Sequence, residues 1–123
     1  MVINHTQAVL EMFDDLLSNE GYQVFLGTFG AGDMQAVEHI MPDLLILDYV
    51  AGWERSGWHL LQTLHQTNST SSIPVIICTT AIQLSNEIKD YLDKTGISII
   101  SKPFDINDLL ATIDQALHSR PTI

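Results

Sequence analysis

Three apolar runs of this chain end in residues whose types together suit phosphoryl transfer. The run that begins at Pro42 ends in Asp48, and two later runs end in Thr79 and Lys102. A charge after a strand that is apolar on both faces serves no packing need, so Asp48 indicates a chemical role. An aspartate can attack a phosphoryl donor and become an acyl phosphate, provided that positive charge stabilises the resulting dianion. Lys102 could provide that charge, and the Thr79 hydroxyl could donate a hydrogen bond to a phosphoryl oxygen.

Apolar runs of four to six residues alternate with longer segments of helical period, which is the pattern of an α/β fold. Five strands are predicted at 2–4, 22–28, 42–48, 73–78 and 97–101. Five helices are predicted from about Val9 to Gly21, from Met34 to Met41, from Gly57 onward, from Ser85 to Lys94 and from Asp105 onward. The carboxyl ends of parallel strands share one edge of a sheet, and such sheets bind ligands there. Asp48, Thr79 and Lys102 are therefore predicted to meet at that edge.

Length and composition restrict the class of protein. The 123 residues suit a single domain, 1–123, and fifteen acidic against five basic residues give a formal net charge of −10. This charge repels nucleic acid and anionic lipid, so no direct contact with either is expected. The single cysteine, Cys78, cannot form a disulfide framework and is expected to be a small buried hydrophobic residue. Because no run is long enough to span a membrane and no signal peptide is recognised, we expect a cytoplasmic protein.

The chain resembles the receiver domain of bacterial two-component response regulators over nearly its whole length. The resemblance rests on four features in order: Pro42-Asp43-Leu44-Leu45-Ile46-Leu47-Asp48, Gly57 opening the third helix, Pro74-Val75-Ile76-Ile77-Cys78-Thr79 and Lys102-Pro103-Phe104. It implies a flavodoxin-like fold, in which a doubly wound five-stranded parallel sheet of order 2-1-3-4-5 carries five helices. It also implies a phosphorelay function rather than an enzyme. Asp48 would accept a phosphoryl group from a histidine kinase or phosphotransfer protein, and the domain would signal by binding a downstream protein, with a homodimer left open.

The metal site that the resemblance implies is altered in this chain. Family members hold magnesium with the phosphoacceptor, a carbonyl and two adjacent acids, and the corresponding residues here are Asp48, Val50, Asn4 and His5. Magnesium is normally held by carboxylates and other oxygen ligands, whereas imidazole suits zinc, copper or nickel better. We therefore expect magnesium binding to be weak or lost. Because the metal is central to the transition state, we also expect phosphorylation to be slow or absent.

Two functional hypotheses remain open from the sequence. The first is a receiver that responds to phosphorylation of Asp48, and the second is a pseudo-receiver that keeps the fold while Asn4 and His5 disable the metal site. Ile99 stands where the family usually has a switch aromatic, which puts the usual activation coupling in doubt. A flavin-type cofactor binder would need a glycine-containing phosphate loop after strand one, which is absent here. A haloacid-dehalogenase-type hydrolase would need a second aspartate where Val50 stands.

Overall fold

The computed structural model describes residues 1–4, 6–27, 33–49, 53–79, 90, 94–95, 97–101 and 105–118, with the backbone alone for residues 33, 48, 49, 53–58, 79 and 101. Five strands occur in these residues: β1 (Val2–Ile3), β2 (Leu26–Gly27), β3 (Leu45–Tyr49), β4 (Val75–Thr79) and β5 (Ser98–Ser101). They form one sheet of order β2-β1-β3-β4-β5 in which all neighbouring strands are parallel. The parallel sheet and its predicted order are confirmed.

Helices connect β1 to β2, β2 to β3 and β3 to β4, as parallel pairing requires. The described residues contain α1 (Gln7–Asn19), α2 (Asp33–Ile40), α3 (Trp53–Gln66) and α4 (Ile106–His118). The described residues therefore show four of these helices and not the predicted five. The additional helix, predicted from Ser85 to Lys94, lies almost wholly outside the described residues, although Asp90, Lys94 and Thr95 are helical. That helix stays a prediction.

Several element boundaries differ from the sequence prediction, most of all those of the second strand and the third helix. The second strand was expected over 22–28. Among the described residues of that range, the strand contains only Leu26–Gly27, because β1 offers Val2 and Ile3 as their partners. Gly57 was expected to open the third helix, but α3 begins four residues earlier, at Trp53. A glycine inside a helix costs about 0.5–1 kcal/mol relative to alanine. The burial of Leu60, Leu61 and Leu64 on α3 offsets that cost, since each buried leucine contributes about 1.5–3 kcal/mol.

Other helix ends follow from the expected residues. Gly21 has φ +89° after α1, and its N–H donates to the Ser18 carbonyl at 3.0 Å. At the start of α4, the Asp105 carboxylate accepts a hydrogen bond from the Asn107 N–H at 2.8 Å, as its predicted N-cap role requires. α2 ends at Ile40, two residues before Pro42, which disfavours helical backbone in the residue that precedes it.

The sheet divides the hydrophobic core into two clusters, one on each face. The cluster on the α2 and α3 face contains Ile3, Val37, Leu45, Leu47, Leu60, Leu61, Leu64, Ile73, Val75 and Ile77. The cluster on the α1 and α4 face contains Val2, Leu10, Phe13, Leu17, Leu44, Ile46, Ile76, Cys78, Ile100, Leu109 and Ile113. Side chains alternate between faces along each strand, so β3 and β4 supply both clusters. This double burial explains why these strands are continuously apolar in sequence.

Cys78 lies in the core, as predicted. Its side chain is fully buried and unpaired with another cysteine, and burial raises the pKa of its thiol to about 12. The thiol is therefore protonated and unreactive at neutral pH. Among the described residues, no helix combines the length and apolar character needed to cross a membrane.

Candidate functional site

The carboxyl edge of the sheet brings together residues that are distant in sequence. In the parallel register, Asp48 pairs with Cys78, Tyr49 with Thr79, and Thr79 with Ser101. The backbones of Asp48 and Thr79 therefore lie on neighbouring strands, one register row apart. Neighbouring strands are about 4.8 Å apart. β3 runs one residue further than expected, to Tyr49, so Asp48 occupies its penultimate position.

The predicted site residues differ in how much of each the structure describes. Lys102 directly follows β5, but it lies outside the described residues, as do His5 and Val50. For Asp48 and Thr79 the position in the strand is described. The roles of Asp48 as phosphoacceptor and of Thr79 and Lys102 as phosphoryl contacts stay predictions. Asn4 is the one predicted site residue whose side chain is described.

Asn4 directly follows β1 at this same edge, and its backbone and side chain both form hydrogen bonds. Ile3 pairs with Leu47, so the next residues of the two strands are Asn4 and Asp48. The Asn4 N–H donates to the Gly27 carbonyl at 3.0 Å, and its side-chain Oδ1 accepts a hydrogen bond from the Thr6 N–H at 2.7 Å. The side chain is 1% exposed. The turn between β1 and α1 thus fixes a buried amide beside the predicted phosphoacceptor position.

The Thr6 contact also determines which way the Asn4 amide is oriented. A backbone N–H can only donate, so the atom that faces it must be the amide oxygen. Exchanging Oδ1 and Nδ2 would bring two donors within 2.7 Å of each other. The remaining atom, Nδ2, is buried and has no hydrogen-bond partner among the residues that the structure describes. A buried donor without a partner costs about 1–3 kcal/mol, so its acceptor is expected to come from a ligand or water.

This geometry bears on the magnesium that the fold family implies. A family carboxylate at this position would supply a negative charge and a second oxygen, whereas Asn4 is neutral and its unpartnered atom is a donor. Oδ1, the only oxygen of the amide, is already engaged by Thr6. As a neutral group whose single oxygen already accepts a hydrogen bond, Asn4 fits the role of a magnesium ligand poorly.

Thr6 positions the side chain of Asn4, a contact that the sequence prediction missed. Its carbonyl accepts hydrogen bonds from Val9 and Leu10, both at 3.1 Å, and thereby starts α1, while its N–H orients Asn4. An asparagine two residues before a helix N-cap is a known turn pattern, because its side chain accepts a hydrogen bond from the backbone N–H two residues on. That pattern, Asn4-His5-Thr6, was the signal that could have identified the contact.

Ile99 lies in the edge strand β5 and pairs with Ile77 of β4. Ile99 is 44% exposed, so it is an exposed apolar residue and not part of the core. An isoleucine has no hydroxyl that could form the alternative hydrogen bonds of a switch tyrosine. The expectation that it alters the activation switch stays a prediction.

Comparison with known proteins identifies the family. The model of the response regulator receiver domain matches residues 1–114. The chain is 26% identical over 113 residues to the DNA-binding dual master transcriptional regulator RpaA of Synechocystis sp., covering 92% of this chain and 46% of RpaA. It is 26% identical to Protein PilH of Pseudomonas aeruginosa over 95% of both chains. In fold it is similar to the chemotaxis protein CheY4 of Vibrio cholerae, with a TM-score of 0.76, 19% identity and 94% of both chains covered.

The coverage differs among these relatives. The chain spans about half the length of the first curated relatives it matches, such as RpaA at 46% and ycf29 of Pyropia yezoensis at 52%. The family match, by contrast, covers all five strands and three of the four described helices completely. Together with the sheet order and the position of Asp48 at the carboxyl edge, it shows that this chain belongs to the response regulator receiver domain family of two-component signalling.

Proposed function

We propose that residues 1–123 form one receiver domain that accepts a phosphoryl group on Asp48 and signals through partner binding. The donor is a histidine kinase or a phosphotransfer protein, and the domain acts as a phosphoacceptor in the cytoplasm, not as a dedicated enzyme. The observation that carries this proposal is the register that sets Asp48 beside Thr79 at the ligand-binding edge, in a chain that matches the receiver family.

Transfer of the phosphoryl group to Asp48 exchanges one bond to phosphorus for another. An Asp48 carboxylate oxygen attacks the phosphorus of a phosphohistidine, an O–P bond forms, and the P–N bond breaks. The imidazole leaves with its electron pair and takes up a proton. The product is an acyl phosphate, and its charge is stabilised by the Lys102 ammonium and a hydrogen bond from the Thr79 hydroxyl.

The experiment is phosphorylation with a small-molecule donor followed by intact-mass measurement. Acetyl phosphate should add one phosphoryl group to the protein, and the Asp48→Asn variant should gain none. Asp15→Asn is the matched control, because Asp15 is exposed on α1 and the substitution makes the same chemical change. A single adduct that maps to another residue, or persists in Asp48→Asn, would show that Asp48 is not the phosphoacceptor.

A second candidate function is a pseudo-receiver that binds its partner without phosphorylation. The observation that favours it is the Asn4 amide, which presents a donor where a metal ligand would be needed. Titration with beryllofluoride separates the two functions, because beryllofluoride adds to an aspartate as an acyl phosphate would. No response of the amide NMR spectrum with or without magnesium would favour the pseudo-receiver.

The partners are proposed to be proteins and not nucleic acid. RpaA is a DNA-binding regulator by name, but this chain spans only 46% of its length and carries a net charge of −10. Such a charge repels phosphate backbones. We therefore place any output on partner proteins, or on segments beyond these residues. Pairing of two copies, which the exposed apolar Ile99 on the edge strand would permit, stays a proposal.

A further inference from the structure

The buried Nδ2 of Asn4 is a hydrogen-bond donor that the described part of the chain leaves unused. Its orientation is set by the 2.7 Å hydrogen bond from the Thr6 N–H to Oδ1 on the other side of the amide. Asn4 directly follows Ile3, and Asp48 directly follows Leu47, which is the partner of Ile3 in β3. A fixed, water-shielded donor next to a phosphoacceptor is suited to bind an oxygen that carries negative charge.

We propose that Asn4 Nδ2 donates a hydrogen bond to an oxygen of the phosphoryl group on Asp48, and that this donor makes the modification independent of magnesium. The inference rests on the proposed function, because it needs Asp48 to be modified. The position that a carboxylate and a cation occupy elsewhere in the family is here taken by a neutral amide. The site therefore recognises the phosphoryl oxygens directly.

Three features of the described residues support this arrangement. The amide is 1% exposed, so bulk water does not compete for the donor. Its oxygen is committed to Thr6, so the amide cannot rotate to present an oxygen without losing that bond. A donor directed at a cation would be repelled, whereas the same donor directed at a phosphoryl oxygen is stabilising. All three favour an oxyanion over a metal ion as the group that Nδ2 meets.

The test compares wild type with the Asn4→Asp variant, each with magnesium and with EDTA. Asn4→Asp preserves an oxygen for the Thr6 N–H and replaces the donor by a carboxylate oxygen. Asn68→Asp is the matched control, because it adds the same charge in the exposed loop after α3. The rate of Asp48 modification by acetyl phosphate is followed by intact mass, and folding of each variant is checked by circular dichroism.

The expected results differ in their dependence on the metal. Wild type and Asn68→Asp should be modified at the same rate in magnesium and in EDTA. Asn4→Asp should lose about tenfold or more in EDTA, as expected for removal of a hydrogen bond to a charged group, and should recover when magnesium is added. Wild type that is modified only with magnesium would overturn this inference and leave the proposed function standing. Wild type that is modified in neither condition would overturn the proposed function and the inference with it.

A second measurement reads the contact directly and does not depend on the rate. In EDTA, beryllofluoride should shift the Asn4 side-chain amide protons downfield and slow their exchange with solvent. The side-chain amide of Asn107, exposed at the start of α4, should stay unchanged. If beryllofluoride binds while the Asn4 amide protons keep their free positions, Nδ2 does not contact the bound group and the proposal fails.

Discussion

The buried polar side chains at the two edges of the sheet differ in their hydrogen bonding. Asn4 and Thr70 are the buried polar residues among the side chains that the structure describes, exposed by 1% and 0%. Thr70 lies in the loop from α3 to β4, at the amino edge, and its hydroxyl donates to the Leu64 carbonyl at 2.6 Å. Asn4 lies at the carboxyl edge and keeps a donor without a partner in the described residues. The amino edge satisfies its buried hydroxyl internally, and the carboxyl edge retains a group for a ligand.

The amino edge has other features of a structural region. It contains a cavity of about 360 Å³ whose lining includes Leu17, Tyr22 and Leu117. The Met1 ammonium lies there and donates to the Leu44 carbonyl at 2.8 Å, which extends the pairing of β1 with β3. Burial lowers the pKa of this ammonium to about 6, and the nearby Asp43 opposes part of that effect. Substitutions at this edge should therefore change stability and leave the chemistry at the other edge intact.

The largest expected effect is at Leu17, which is 5% exposed and lines the amino-edge cavity. Leu17→Ala should enlarge the cavity and lower the free energy of unfolding by about 2–5 kcal/mol, as measured by urea denaturation. Met12→Ala on the same helix is the control, because Met12 is 40% exposed and its loss should cost little. The rate of Asp48 modification by acetyl phosphate in the folded Leu17→Ala protein should match that of wild type. A large drop in that rate would show that the two edges are coupled.

The second effect is a dependence of stability on pH at the amino edge. The Met1 ammonium has a pKa of about 6 when folded and 8.0 as its ordinary value, so the unfolded state binds more protons between these values. The free energy of unfolding should therefore rise as the pH increases from 6 to 8, by up to about 2–3 kcal/mol. Chemical acetylation of the terminal amine should remove this rise. A pH dependence that survives acetylation would assign it to other groups, such as His65, whose pKa burial also lowers.

The smallest effect directly contrasts the two buried polar residues. Thr70→Val keeps the shape of the side chain but leaves the Leu64 carbonyl without its donor, and should cost about 1–3 kcal/mol in urea denaturation. Thr112→Val is the control, because its hydroxyl bond to the Asp108 carbonyl is at an exposed site where water can replace it. Equal stability of Thr70→Val and wild type would contradict the view that internal pairing at the amino edge stabilises the fold.

Much of the fold followed from local pattern. The apolar run before Asp48 indicated a strand buried on both faces, and the structure places Leu45 and Ile46 in opposite core clusters. Gly21 and Asp105 marked helix ends that the structure confirms. The predicted length of the second strand was wrong. That length depends on how far β1 extends beside the strand and not on residues 22–28 themselves. The start of α3 was wrong because packing outweighed the helix-breaking tendency of Gly57.

In the site, too, some features could be predicted from the sequence and others depended on the tertiary structure. Asp48 could be identified from the sequence as a candidate site residue, because a charge at the end of an apolar strand stands out from its immediate neighbours. Asn4 could be recognised as a departure from the family, but its effect on the metal was argued only from the loss of charge. That its oxygen is used by Thr6, and that its donor is the atom left over, depended on the conformation of the turn between β1 and α1.

The amino-acid sequence by itself determined the alternation of strands and helices, the family, and the identity of the residues at the strand ends, because each depends on short-range order along the chain. The tertiary structure decided which residues share a register row, which buried polar groups are paired, and which atom of Asn4 has no partner among the described residues. The reason is that hydrogen-bond satisfaction depends on atoms brought together from different strands and turns, and no local pattern specifies the acceptor that a buried donor will meet.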